Sequence, residues 1–106
     1  MDIVILEATL DDAQLIAHLT RECWSGKVAA TSSGHRESSE RVRNDLQHGG
    51  GFILFVNDEA AGSVRWMPLD GETDTWEMLR MGVLPTFRGN GFSQQLLEAV
   101  IHAAQT

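Results

Sequence analysis

The sequence predicts a single α/β domain with elements in the order β-α-α-β-β-β-α. Three observations carry this reading: four apolar, β-branched stretches bounded by turn residues, apolar positions at helical spacing, and a glycine loop before the last helix. A chain of 106 residues, 42% hydrophobic, can build one small core and not two.

Ile3 to Leu6, flanked by Asp2 and Glu7, reads as the first strand. Thr9 with Asp12 three positions later fits a capping box, and Ile16, Leu19, Thr20 and Cys23 then form one helical stripe, predicting a helix from Asp11 to Trp24. Ser25 to His35, with two glycines and Thr31-Ser32-Ser33, reads as loop. Arg36 to Gln47 predicts a second helix with Val42 and Leu46 as a thin apolar stripe, ended by the triplet Gly49-Gly50-Gly51. Phe52 to Val56 and Gly62 to Met67 predict two antiparallel strands joined through Asn57 to Ala61. After a turn at Asp70 to Asp74, Thr75 to Val83 predicts a fourth strand, with Glu77, Leu79, Met81 and Val83 on one face by period two. Ser93, Leu96, Leu97, Val100 and Ala104 mark the final helix. Trp66 and Trp76 read as strand packing and Cys23 as core.

Eight Lys and Arg against fifteen Asp and Glu give a formal charge of −7, which argues against nucleic acid and acidic membranes as partners and favours cationic ligands. One cysteine cannot form an internal disulfide, and no N-terminal apolar run has the length of a signal peptide or span, so a cytoplasmic protein is expected. The four histidines lack ligand spacing, and no metal is expected.

The stretch Arg88-Gly89-Asn90-Gly91-Phe92-Ser93 carries the chemistry. Two glycines at the start of a helix leave backbone N–H groups uncovered, and with the helix dipole behind them these suit an anion such as a pyrophosphate. A dinucleotide fingerprint would need a third glycine where Gln94 stands, and a P-loop would need Gly-Lys-Ser/Thr; neither is present.

Glu77 to Ser93 resembles the acyl-CoA-binding segment of the GNAT superfamily of N-acetyltransferases, whose signature is Q/R-x-x-G-x-G/A after a strand often ending V-x-P. Arg88, Gly91 and Ser93 occupy the signature positions, Ser93 departing from the usual Gly or Ala, and the order of elements along the chain agrees as well. The resemblance implies a mixed, mostly antiparallel central sheet flanked by helices. It implies acetyl-CoA or a related acyl-CoA as co-substrate, held by Met81, Val83, Arg88, Gly89, Asn90, Gly91, Phe92 and Ser93. The implied reaction transfers the acetyl group to a primary amine of a small molecule or peptide by direct attack in a ternary complex.

An amine of lysine type, with a pKa of about 10.4, must lose a proton before it attacks. Glu77, six positions before Val83, resembles in position the general-base glutamate of some family members, and Met81 the residue whose backbone N–H polarises the thioester carbonyl. Trp24 and Ser25 to Arg36 fall where the family binds its acceptor, although Trp24 reads more simply as an ordinary packed aromatic. Arg80 reads as a phosphate-steering residue or an ion-pair partner. The family often supplies a tyrosine as general acid, and this chain has no tyrosine. Family domains also continue beyond this helix into a fifth strand, a further helix and a closing hairpin. The expectation is therefore a domain incomplete at its C-terminus: a shortened chain, a natural short form completed by a partner subunit, or a degenerate relative. A noncatalytic acyl-CoA-binding module or an inactive fragment is the alternative function. The uncovered edge of the fourth strand predicts a homodimer or larger assembly.

Overall fold

The computed structural model describes residues 2–24, 38–68 and 75–105. The loop expected at 25–35, the first residues of the second predicted helix and the turn expected at 70–74 lie outside these. Four strands form one sheet in the order β1 (Ile3–Glu7), β2 (Gly50–Val56), β3 (Glu59–Pro68) and β4 (Trp76–Val83), and every pairing among the described residues is antiparallel. Helices α1 (Ala13–Trp24) and α2 (Ser39–His48) cover one face, and α3 (Phe92–Ala104) covers the other.

The alternation along β2 builds the two layers. Ile53 faces Ala13, Ile16, Ala17 and Leu19 of α1 and Val42 and Leu46 of α2, whereas Leu54 and Val56 face Phe92, Leu96 and Val100 of α3. Period two in the strand meets helical spacing on both sides, which makes one core above the sheet and one below. On α3 the buried stripe is Phe92, Leu96 and Val100, at intervals of four; Ser93, expected in the stripe, is exposed.

Local chemistry sets the helix ends. The Asp12 carboxylate accepts from the Thr9 backbone N–H at 2.8 Å and from its hydroxyl at 3.2 Å. This ties the chain into a 3-10 turn at Leu10–Asp12, so the α-helix proper begins at Ala13, two residues later than the spacing predicts. The Ser38 hydroxyl accepts from the Arg41 N–H at 3.2 Å and caps α2.

The glycine triplet ends α2, as expected, and also opens β2. Gly49 caps α2 at φ −145 and ψ −125, and Gly50 and Gly51 are already in β2. A Cβ at Gly49 would lie 1.9 Å from the Trp66 carbonyl oxygen, one at Gly50 2.8 Å from the Trp66 ring, and one at Gly51 2.8 Å from the Val64 carbonyl oxygen. Close approach of β3 excludes a side chain there. Trp66 in turn stacks on Trp76 of β4, centroids 3.6 Å apart and planes 4° from parallel.

The β2-β3 turn is shorter than the sequence suggests. Only Asn57 and Asp58 lie outside the strands, with φ of 50 and 70, the two left-handed positions of a primed hairpin turn.

Period two fails in β4. Ser63 pairs with Gly82 and Arg65 with Leu79, so the single residue Val64 faces both Arg80 and Met81. Arg80, at φ 54, makes this bulge. The extra residue shifts the phase: Glu77 and Leu79 pair with Met67 and Arg65 on the α1–α2 face, while Met81 and Val83 pack against the α3 core. Glu77 therefore does not share a face with Met81 and Val83. Arg65 is 1% exposed and pairs with Asp45 of α2 at 2.8 Å.

Candidate functional site

Beyond β4 the chain makes a 3-10 turn at Pro85–Phe87, in which the Phe87 N–H donates to the Leu84 carbonyl and the Arg88 N–H to the Pro85 carbonyl. Gly89 follows at φ 86 and Gly91 at φ 76, both in the region that costs an L-residue about 1–2 kcal/mol. A Cβ at either would meet nothing within 4 Å. These glycines answer to backbone angle, and their open side faces a cavity.

That cavity, of about 350 Å³, is lined by Met81, Gly82, Val83, Phe87, Arg88, Gly89, Gly91, Phe92 and Ser93. Seven of the eight cofactor-binding residues expected from the sequence thus come together. Asn90 stands behind the wall, where its side-chain amide donates to the Phe87 carbonyl at 3.0 Å and holds the loop. Gly82 and Phe87 were not expected. A Cβ at Gly82 would press on Cys23 Cβ and Sγ at 3.1 Å, a contact between residues 59 positions apart that no local pattern shows.

The N–H groups of Gly89, Asn90, Gly91, Phe92, Ser93 and Gln94 have no acceptor among the described residues, and the first helical bond of α3 is Gln95 N–H to the Gly91 carbonyl at 3.2 Å. No side chain caps this end. Six donors and the positive end of a 13-residue helix are left at one mouth. The Arg88 N–H, expected within the run, is committed to Pro85.

The Arg88 side chain is also committed. Its Nε donates to the Val83 carbonyl and its Nη2 to the Cys23 carbonyl, both at 2.9 Å, and Nη1 is buried without a partner. The guanidinium thereby clamps the end of β4 to the last turn of α1, where a cation also opposes the helix dipole. Burial raises the pKa of the Cys23 thiol, against the lowering effect of the nearby Arg88 charge; Glu22 adds to the rise. The thiol beneath the cavity floor is neutral.

The two expected catalytic positions are disposed differently. Met81 lines the cavity and sits in the bulge, where the register gives it no β3 partner. Glu77 is exposed on the α1–α2 face of the same strand. Among the described residues no group of three or more His, Cys, Asp and Glu side chains comes together as a metal site, and no helix is long and apolar enough to cross a membrane.

The model of the acetyltransferase (GNAT) family matches residues 13–106. A mycothiol acetyltransferase from Streptosporangium roseum is 33% identical over 98 residues, which cover 87% of this chain; the chain spans 27% of that relative's length. Among solved structures, the PaiA N-acetyltransferase of Thermoplasma acidophilum in complex with coenzyme A superposes with a TM-score of 0.80 at 17% identity, covering 99% of this chain and 73% of the other. N-acetylglutamate synthase from Neisseria gonorrhoeae, complexed with coenzyme A and N-acetyl-glutamate, gives 0.75 at 22% identity, covering 99% and 23%. At these identities the structures speak for the fold.

Proposed function

The chain belongs to the acetyltransferase (GNAT) family, and from that premise we propose that it binds acetyl-CoA, or a related acyl-CoA, at the mouth of α3 and transfers the acyl group to a primary amine of a small molecule or peptide. The observation that carries this is the unbroken run of unbonded N–H groups from Gly89 to Gln94 beside the cavity. Each can satisfy one pyrophosphate oxygen, and no side chain intervenes at Gly89 or Gly91. The coenzyme A complexes of the two superposed structures support the same class of ligand.

When bound, the co-substrate supplies an activated acyl thioester; the protein's part is position and proton management. The Met81 N–H, in the bulge, is the donor we assign to the thioester carbonyl. Glu77 is the base we assign to the incoming amine, taking the proton that attack on the carbonyl requires it to lose. The bulge puts the Glu77 and Met81 side chains on different sides of β4, which supports an approach of the amine from the α1–α2 face. The formal charge of −7 favours a cationic acceptor. A thiol of pKa about 8.5 leaves as thiolate without an acid being obligatory. We place the protein in the cytoplasm, working as a homodimer or larger assembly.

Calorimetric titration of acetyl-CoA into the 106-residue chain tests the binding step, and release of free thiol with a panel of polyamines, amino acids, aminoglycosides and peptides tests transfer. Binding together with amine-dependent thiol release is expected. Binding with no transfer to any amine would favour the noncatalytic acyl-CoA-binding module, and a folded chain that does not bind would refute both.

A further inference from the structure

Strand β1 lies at the edge of the sheet among the described residues, and apart from its short length and the exposed Glu7 at its end it lacks the features that keep an edge unpaired. Ile3, Val4, Ile5 and Leu6 follow one another without a charge, a proline, a glycine or a bulge, and three of the four are exposed: Ile3 by 37%, Val4 by 46% and Leu6 by 53%. The outer edge of β4, by contrast, is broken by the bulge at Arg80 and Met81.

The hydrogen-bond phase of β1 is fixed at both ends. The Asn57 N–H donates to the Asp2 carbonyl and the Ala8 N–H to the Gly51 carbonyl, both at 2.8 Å. Bonded pairs alternate in an antiparallel ladder, so Asp2, Val4, Leu6 and Ala8 are bonded to β2, and the N–H and C=O groups of Ile3, Ile5 and Glu7 point outward. From this we propose that β1 is a self-association edge, which pairs antiparallel about a two-fold axis with β1 of a second copy and joins the two sheets into one of eight strands.

The edge is complementary to itself in only one register that uses all five residues. With Ile5 opposite the partner's Ile5, the outward groups of Ile3 meet those of the partner's Glu7. Val4 then lies opposite the partner's Leu6, and these are two of the most exposed apolar side chains in the chain, on the same face of the sheet. A shift by two residues leaves one of them opposite a polar residue or beyond the strand. A five-residue pair covers far less than the roughly 1,200 Å² of a stable interface, so the dimer is reversible and dependent on concentration. Both copies carry −7, so salt tightens it.

Sedimentation velocity across about 5 to 500 μM, at low and moderate salt, is the experiment. The expected result is a monomer at the low end moving toward a dimer, with Val4→Lys and Ile3→Pro each weakening association by at least about tenfold. Ile3→Pro removes only an outward N–H at the start of the strand, and Val4 is exposed, so unchanged circular dichroism spectra confirm that the fold survives. Met78→Lys, at an exposed position of β4, should leave association unchanged. A monomer at every concentration would overturn the proposal. So would a dimer indifferent to both β1 variants, or one lost through Met78→Lys.

Discussion

Ser93→Asp separates the stability of α3 from its proposed ligand, because the two respond with opposite sign. Ser93 is the second residue of the helix after the N-cap Gly91, it is exposed, and it lines the cavity. A carboxylate there meets the positive end of the dipole and unbonded N–H groups, which should stabilise the fold by about 0.3–1 kcal/mol. For a chain of this length that raises Tm by about 1 to 8 °C. Two phosphate charges held by the same N–H groups would stand about 4 Å from the new carboxylate. Each such pair costs about 1 kcal/mol at the fully water-exposed limit and about 4 kcal/mol at the screening typical of a protein surface. Taking the exposed limit, about 2 kcal/mol in all, acetyl-CoA should bind about thirtyfold more weakly. Calorimetry alongside a thermal melt reads both quantities, and raising the salt should shrink the loss of affinity. A higher Tm with unchanged affinity would refute the assignment of these N–H groups to the pyrophosphate.

Four further outcomes follow from the same structure. Glu77→Gln should flatten the rise of acetyl transfer with pH while leaving acetyl-CoA affinity unchanged; an unaltered pH profile would remove Glu77 as the base. Arg88→Lys cannot span the Val83 and Cys23 carbonyls together and should lower stability by about 2–4 kcal/mol in urea unfolding, since each charge-assisted bond is worth about 1.5–3. Gly49→Ala would set a Cβ against the Trp66 carbonyl oxygen and should cost about 3 kcal/mol in the same assay. Burial raises the Cys23 pKa, so the folded state favours the neutral thiol. Its contribution to stability is whole below the unfolded-state pKa and is lost as pH rises through the higher folded one, so wild type should lose more stability than Cys23→Ala between pH 8 and 10, as read by denaturation at each pH.

The features legible along the chain are those set by local order. The strand at Ile3, the capping pair Thr9 and Asp12, the stripe Val42 and Leu46, and the loop at Gly89 and Gly91 all depend on neighbours within about one or two turns, and a period or a backbone angle reads them directly. The same local order gathered most of the cavity, because Met81 to Ser93 is one continuous segment. The features that emerge only on folding depend on partners far along the chain. The bulge that turns Glu77 away from Met81 exists because β4 must register against β3, and no count along β4 alone reveals an extra residue. The glycine triplet answers to Trp66, and the Arg88 guanidinium to the Cys23 carbonyl, 65 positions away. Local patterns fix which face a side chain takes relative to its neighbours; the opposing strand decides where that pattern is reset.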